Sequence, residues 1–319
     1  QHKIAEMATK IYVADSANYR SGQNIENHIK RLEENGIDSQ KAKLLGVQEY
    51  SIECAILKVF CSEVVQYVSD EAVQIYGGMG FSAESEVEAA YRDARISRIY
   101  EGTNEINRLL IVKMILKKGT TGEIDLMSSM KRVAKELLTL PTFENTSKGL
   151  FTEEKKVLNN LKKAVLLVAG SVSEKLGNKI ATEQEVMMNI ADMIIETYVL
   201  ESALLKTEKL VMKNGEKNTA EQIAMCINFQ HQSVEKISKL ISYKFNNENL
   251  LIESFTHKSI SENNYERLEF LGDSVLQLII TKSLYMTYPN IDEGALSREK
   301  QSIVSKKIIS KISLELKLI

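Results

Sequence analysis

Proline is nearly missing: Pro141 and Pro289 are the only two in 319 residues. With so few helix breakers and only 15 glycines, the chain has room for long helices. Tryptophan is absent and aromatic residues make up 6%. Cysteine is rare, at Cys54, Cys61 and Cys226, with no ligand-like spacing. Cys54 and Cys61 fall in an apolar helical pattern and read as buried thiols. Three cysteines in such a length fit a reducing cytoplasm and exclude a disulfide framework. No apolar run is long enough to cross a membrane, and no signal peptide is evident. An excess of one charge sign is lacking too. The chain has 41 Lys and Arg against 43 Asp and Glu, so charge gives no global nucleic-acid signature.

What is present is helical periodicity. The hydrophobic fraction of 44% supports a sizeable core, and the length suits two or three domains. Residues 1–20 read as an amphipathic helix. Residues 39–69 read as one long helix, with Leu44, Val47, Tyr50, Cys54, Leu57, Cys61 and Val64 on a repeating spacing of three and four. A glycine loop follows, then a helix over 84–99 and a helix capped by Thr103 over 104–118. A second helical block covers 125–138, 152–176 and 183–213 and breaks at "KNGEKNT". The texture changes after about Phe229, and a loosely fixed junction is expected around 214–235. The fold class is therefore all-α, in separate bundles.

Two short stretches carry chemistry. The first pairs "VQIYGGMGF", with Gly77, Gly78 and Gly80, and "ISRIYEGTNEINR", with Glu101 between Tyr100 and Gly102. Paired glycines let a backbone approach a phosphate or a flat ring, although a plain structural turn uses them as well. Glu101 reads either as a solvated loop carboxylate or as a base held on a short loop. The second stretch is "NNYERLEFLGDSVLQL". At helical pitch Glu266, Glu269 and Asp273 share an arc of roughly 60°. Three acids on one face make either an ordinary solvated face or a site for a divalent cation.

The order and spacing of the first pair resemble the C-terminal helical domain of the flavin-dependent acyl-CoA dehydrogenases, over about 1–118. The block at about 120–229 resembles the extra C-terminal region of the very-long-chain branch. The resemblance implies that Glu101 is the base that removes the α-proton of an acyl-CoA, with Gly102 bordering the acyl chain. It implies FAD as cofactor, with Gln74, Gly77 and Gly78 at its adenine-nucleotide end across a subunit interface and Thr103 and Glu105 beside the flavin. Burial beside Tyr100 and an acyl chain would strengthen the base. The activity implied is the α,β-dehydrogenation of fatty acid β-oxidation. The family's N-terminal helical and middle β-domains are expected to be missing, and with them half of the flavin cradle.

The second stretch, with "FTHKS" before it and "YPNIDEGALSREKQSIVS" after it, resembles ribonuclease III over about 233–319. This implies Mg²⁺ held at Glu269 and Asp273, with Asp273 catalytic and Glu266 and Glu293 in the same acidic cleft. Double-stranded RNA is the implied substrate. The second acidic pair of that family and its RNA-binding domain are expected to lie beyond residue 319. Residues 230–319 hold 12 Lys and Arg against 11 Asp and Glu, too even a balance to bind RNA through charge alone. The domains are thus drawn as 1–118, 119–229 and 230–319, with both ends read as cut. Both families imply a homo-oligomer. The expected function is a dehydrogenase fragment fused to a nuclease fragment, inactive alone. The alternative is a non-catalytic helical chimera from a misjoined or truncated reading frame.

Overall fold

A computed structural model describes residues 1–137, 150–241, 266–289 and 291–304. The described residues are helical throughout their regular elements, with no strand. They fall into two compact units, residues 1–133 with 145–242, and residues 134–144 with 243–319.

The first unit begins with α1, His2–Glu34, followed by α2, Ser39–Glu49, and α3, Ser51–Tyr76. The single long helix expected over 39–69 is therefore two. Helix α2 lies against α1 through Gly46, where a Cβ would stand 2.4 Å from Ile29 Cγ1. Tyr50 sets its ring edge-on to His28 at 6.1 Å. These contacts turn the chain at Tyr50, and tertiary packing overrides a periodicity that runs through both pieces. Leu44 and Val47 consequently leave the core line and are 69% and 50% exposed. A short 3₁₀ turn, Gly77–Phe81, follows α3, then α4, Glu86–Ile96, and α5, Asn104–Thr120.

Beyond these come α6, Leu126–Leu137, α7, Thr152–Leu176, α8, Gln184–Asn214, and α9, Ala220–Leu240. Helix α8 is the axle of the unit, packed on α1, α5, α7 and α9. Its buried side chains, among them Met193, Val199, Leu200 and Ala203, circle the helix instead of forming one stripe, as expected for a helix enclosed by others. Small and polar residues bring α1 close to it. Tyr12 and Ser21 meet Thr207 and Tyr198 at 2.9 and 2.7 Å, and Arg20 pairs with Glu201 at 3.1 Å. Cys226 is buried, whereas Cys54 and Cys61 are half-buried. Burial pushes the thiols of Cys61 and Cys226 up to about 11, so neither is a thiolate at neutral pH.

The loose junction expected around 214–235 is instead mostly helix. Helix α9 runs unbroken through residue 230, and Phe229, Gln230, Ser233 and Ile237 are buried in the first unit. A boundary at 229/230 would cut this helix in the middle. Phe229 belongs to the same core cluster as Phe60, and the two rings meet edge to face at 6.0 Å.

The second unit is described through α10, Glu266–Thr287, and α11, Glu293–Ile303, which pack on each other. Ile280 and Leu284 are buried one turn apart on α10. The Asp292 side chain caps α11 by accepting the Ala295 N–H at 2.9 Å.

Candidate functional site

The Glu101 loop joins α4 to α5. Glu101 has φ 57° and Gly102 has φ 81°, two left-handed residues in succession. Glycine adopts that region at no cost, but a glutamate there is strained by about 1–2 kcal/mol. Strain of this kind persists only where the surroundings fix the backbone. Here they do. Lys58, from α3, donates to the Gly102 carbonyl at 2.7 Å, and Asn107 donates to the same oxygen at 2.9 Å. The Asn107 amide also reaches the Thr103 carbonyl at 3.1 Å. Thr103 caps α5 by accepting the Ile106 N–H at 3.3 Å. The Glu105 carboxyl is held below the ordinary carboxylate range by its own backbone N–H and the Thr103 hydroxyl.

Beneath the loop lies a polar layer. Asn104 is fully buried and accepts from Lys58 at 2.7 Å while donating to Ser62 at 3.0 Å and to Glu63 at 3.3 Å. Arg108 bridges Glu63, at 2.8 Å, and Asp192 of α8, at 2.7 Å. Burial pushes the Lys58 ammonium below the usual lysine range, against the opposing pull of Glu101, Glu105 and Glu63. None of Lys58, Glu63, Asn104, Asn107, Arg108 and Asp192 is singled out by the sequence reading. The signal available was the pair of asparagines in "TNEIN", residues that favour helix starts and local backbone bonds.

Glu101 itself is exposed and Tyr100 is half exposed, so the burial expected to strengthen the base is not supplied by the described residues. Glu101, Gly102, Thr103 and Glu105 do stand together at the start of α5. Gln74, Gly77 and Gly78 stand elsewhere, exposed at the end of α3. Eighteen residues of α3 separate the Lys58 clamp from Tyr76, about 27 Å along the helix axis. The structure therefore does not merge the glycine turn and the Glu101 loop into one pocket.

The glycine turn is open at its first two residues. A Cβ added at Gly77 or Gly78 would meet nothing within 4 Å. Gly80 differs: its Cβ would lie 2.6 Å from the Val73 carbonyl oxygen and 2.8 Å from Tyr76 Cβ. Gly80→Ala should lower stability by about 1–3 kcal/mol, because backbone has to move, whereas Gly78→Ala should stay within about 0.5 kcal/mol. Thermal unfolding of the two variants checks this. Equal midpoints would show that the turn yields at Gly80 as easily as at Gly78.

Of the acidic candidates in the second unit, the backbone sets Glu266, Glu269 and Asp273 on the first turns of α10, and their side chains are not described. Glu293 is exposed in the first turn of α11. The "FTHKS" segment lies outside the described residues. Among the described residues no cluster of three metal-ligating side chains occurs, and no helix is long and apolar enough to cross a membrane.

Known proteins match both parts. Family models described as "Acyl-CoA dehydrogenase, C-terminal domain" match residues 1–116 and residues 160–246, and one described as "Ribonuclease-III-like" matches residues 247–319. A probable acyl-CoA dehydrogenase of Bacillus subtilis is 38% identical over 237 residues, 74% of this chain and 40% of that protein. Ribonuclease 3 of Wolinella succinogenes is 47% identical over 83 residues, 26% of this chain and 35% of that protein. The crystal structure of an acyl-CoA dehydrogenase complexed with FAD from Bacillus anthracis superposes with a TM-score of 0.71 at 35% identity, covering 81% of this chain and 45% of that one. The chain thus spans less than half of each of these relatives. The matched segments meet at 246/247, beyond the end of α9. The chain carries, in residues 1–116 and 160–246, the C-terminal domains of an acyl-CoA dehydrogenase, joined to a ribonuclease III-like segment over 247–319.

Proposed function

We propose that the first part of the chain is the base-bearing part of a flavin-dependent acyl-CoA dehydrogenase, and that the distal part is the head of a ribonuclease III catalytic domain. On this reading the break between them lies between residues 241 and 247, and neither activity is complete in this chain alone. The observation that carries the reading is the Glu101 loop. A glutamate is held in a left-handed conformation, and Lys58 and Asn107 fix the carbonyl of the glycine next to it. In the mechanism Glu101 takes the α-proton of the thioester onto its carboxylate. That proton is weakly acidic, so the base has to be oriented and the carbonyl polarised. FAD, when bound, supplies the hydride acceptor for the β-carbon. Thr103 and Glu105 would lie beside the flavin, and the open face at Gly77 and Gly78 suits its nucleotide end. The placement of the two stations at different levels of α3 supports their service to two flavins, in a homo-oligomer.

The exposure of Tyr76, Met79, Phe81, Ile99 and Tyr100 fits a surface that other parts of a dehydrogenase cover. Purified alone, the chain should not retain FAD at stoichiometric level. The test adds a dehydrogenase fragment carrying the N-terminal and middle domains. Flavin absorbance and acyl-CoA turnover should then appear together. Glu101→Gln should keep the flavin and lower kcat by about a hundredfold or more. Turnover equal to the parent's would remove Glu101 from the role of base.

For the distal segment, Glu269 and Asp273 would hold Mg²⁺, which when bound would supply an activated water for phosphodiester hydrolysis. Two carboxylates from one helix leave most of the octahedral shell to water, and the near-even charge of 230–319 gives duplex RNA little to bind. Incubation of long duplex RNA with the chain and Mg²⁺ should give no efficient cleavage. Short duplexes made by the parent, and not by a Glu269→Ala, Asp273→Ala variant, would show that the segment is sufficient.

A further inference from the structure

We propose that Asp192 of α8 is a positioning residue for the Glu101 loop, acting through Arg108, Glu63, Asn104 and Lys58. The inference rests on the reading of Glu101 as base and assigns the second helical region a part in it. Every link is a contact. Asp192 Oδ1 accepts from Arg108 Nε at 2.7 Å, and Arg108 Nη2 reaches Glu63 at 2.8 Å. Glu63 accepts from Asn104 Nδ2 at 3.3 Å, and Asn104 Oδ1 accepts from Lys58 at 2.7 Å. Lys58 ends the chain on the carbonyl of Gly102, the residue that follows Glu101, at 2.7 Å.

The chain of contacts has little slack. Asn104 is fully buried, and the Arg108 side chain is 12% exposed. A guanidinium is planar, so the direction of its Nε bond to Asp192 fixes the direction in which Nη2 meets Glu63. Glu63 in turn receives the Asn104 N–H, while the amide oxygen faces the Lys58 ammonium, which can only donate. Without Asp192, Arg108 is free to rotate toward Glu63 alone and to draw Glu63 from the Asn104 amide, which is then held by Ser62 and Lys58 only. Asp192 lies in the segment matched by the second dehydrogenase family model, whereas every other member lies in the first. The second region therefore contributes a directed charge as well as core surface.

The test uses the full chain with Asp192→Asn, Asp192→Glu and, as control, Glu201→Gln. Glu201 joins α8 to α1 through Arg20 and does not touch the loop. Amide hydrogen exchange over residues 98–107 should quicken about tenfold in Asp192→Asn, return toward the parent in Asp192→Glu, and stay unchanged in Glu201→Gln. Unchanged exchange there in Asp192→Asn, or an equal rise along α1, would overturn the proposal. With the completing dehydrogenase fragment, Asp192→Asn should lower kcat with KM and flavin content unchanged, and Asp192→Glu should restore it. A rise in KM with kcat unchanged would also overturn it. Exchange is read without flavin or substrate, so a failure of the coupling is distinct from the failure of Glu101 as base, which Glu101→Gln reports.

Discussion

Phe229→Ala should lower the thermal midpoint of the first unit by about 6–20 °C. Phe229 is 3% exposed and sets its ring against Phe60, itself 8% exposed. Truncating a buried phenylalanine removes its transfer free energy and leaves a cavity, together about 3–5 kcal/mol. For a unit of this size each kcal/mol is worth about 2–4 °C. Total stabilities run about 5–15 kcal/mol, so the loss is a large share. The helical circular dichroism signal, followed on heating, reads the shift. The result separates two views of α9. If residues 214–235 were a loose connector, Phe229 would be dispensable and the midpoint would move by less than about 2 °C. If α9 closes the bundle, as the burial of Cys226, Ser233 and Ile237 on the same helix argues, the large fall follows.

This stretch also marks where the sequence was hard to read. The change of texture near residue 229 is a change of motif, and the last helix of the first unit runs on to Leu240. Periodicity does not distinguish a helix that ends a bundle from one that begins the next. Tyr50 is the opposite case. The apolar spacing of three and four continues through it, yet the chain turns, because Gly46 against Ile29 and Tyr50 against His28 are contacts between distant residues. What local chemistry controls was legible: the helical class, the cap at Thr103, and a short loop presenting Glu101. What depends on long-range partners was not. Lys58 stands 44 positions before Gly102, and Asp192 stands 84 after Arg108. No local pattern announces either contact. The cover expected over Glu101 comes from Tyr100 and an acyl chain together; of the two only Tyr100 belongs to the protein, and it is half exposed.

Arg108→Met should lower the same midpoint by about 6–12 °C. The substitution keeps the apolar stem and removes the guanidinium that bridges Glu63 and Asp192. Burial works against the Arg108 charge, and Glu63 and Asp192 outweigh it and hold the guanidinium above its ordinary range. Removing one member of such a partly buried set costs about 3–5 kcal/mol, because the charges left behind are uncompensated. Two features favour the lower end. The Glu63 and Asp192 side chains are 30% and 19% exposed, so water screens part of the penalty. Lys236 also feels both carboxylates: burial lowers its pKa, but Glu196, with help from Asp192 and Glu63, raises it above the usual lysine range. About 3 kcal/mol is therefore expected, and each kcal/mol is again worth about 2–4 °C. Arg108→Lys should fall between parent and Met, since an ammonium keeps the charge but lacks the planar fork that meets two carboxylates at fixed angles. Thermal scans of the three proteins at neutral pH measure this. A fall of less than about 2 °C at neutral pH would mean that water already solvates Glu63 and Asp192, and that Arg108 holds no structure beneath the Glu101 loop.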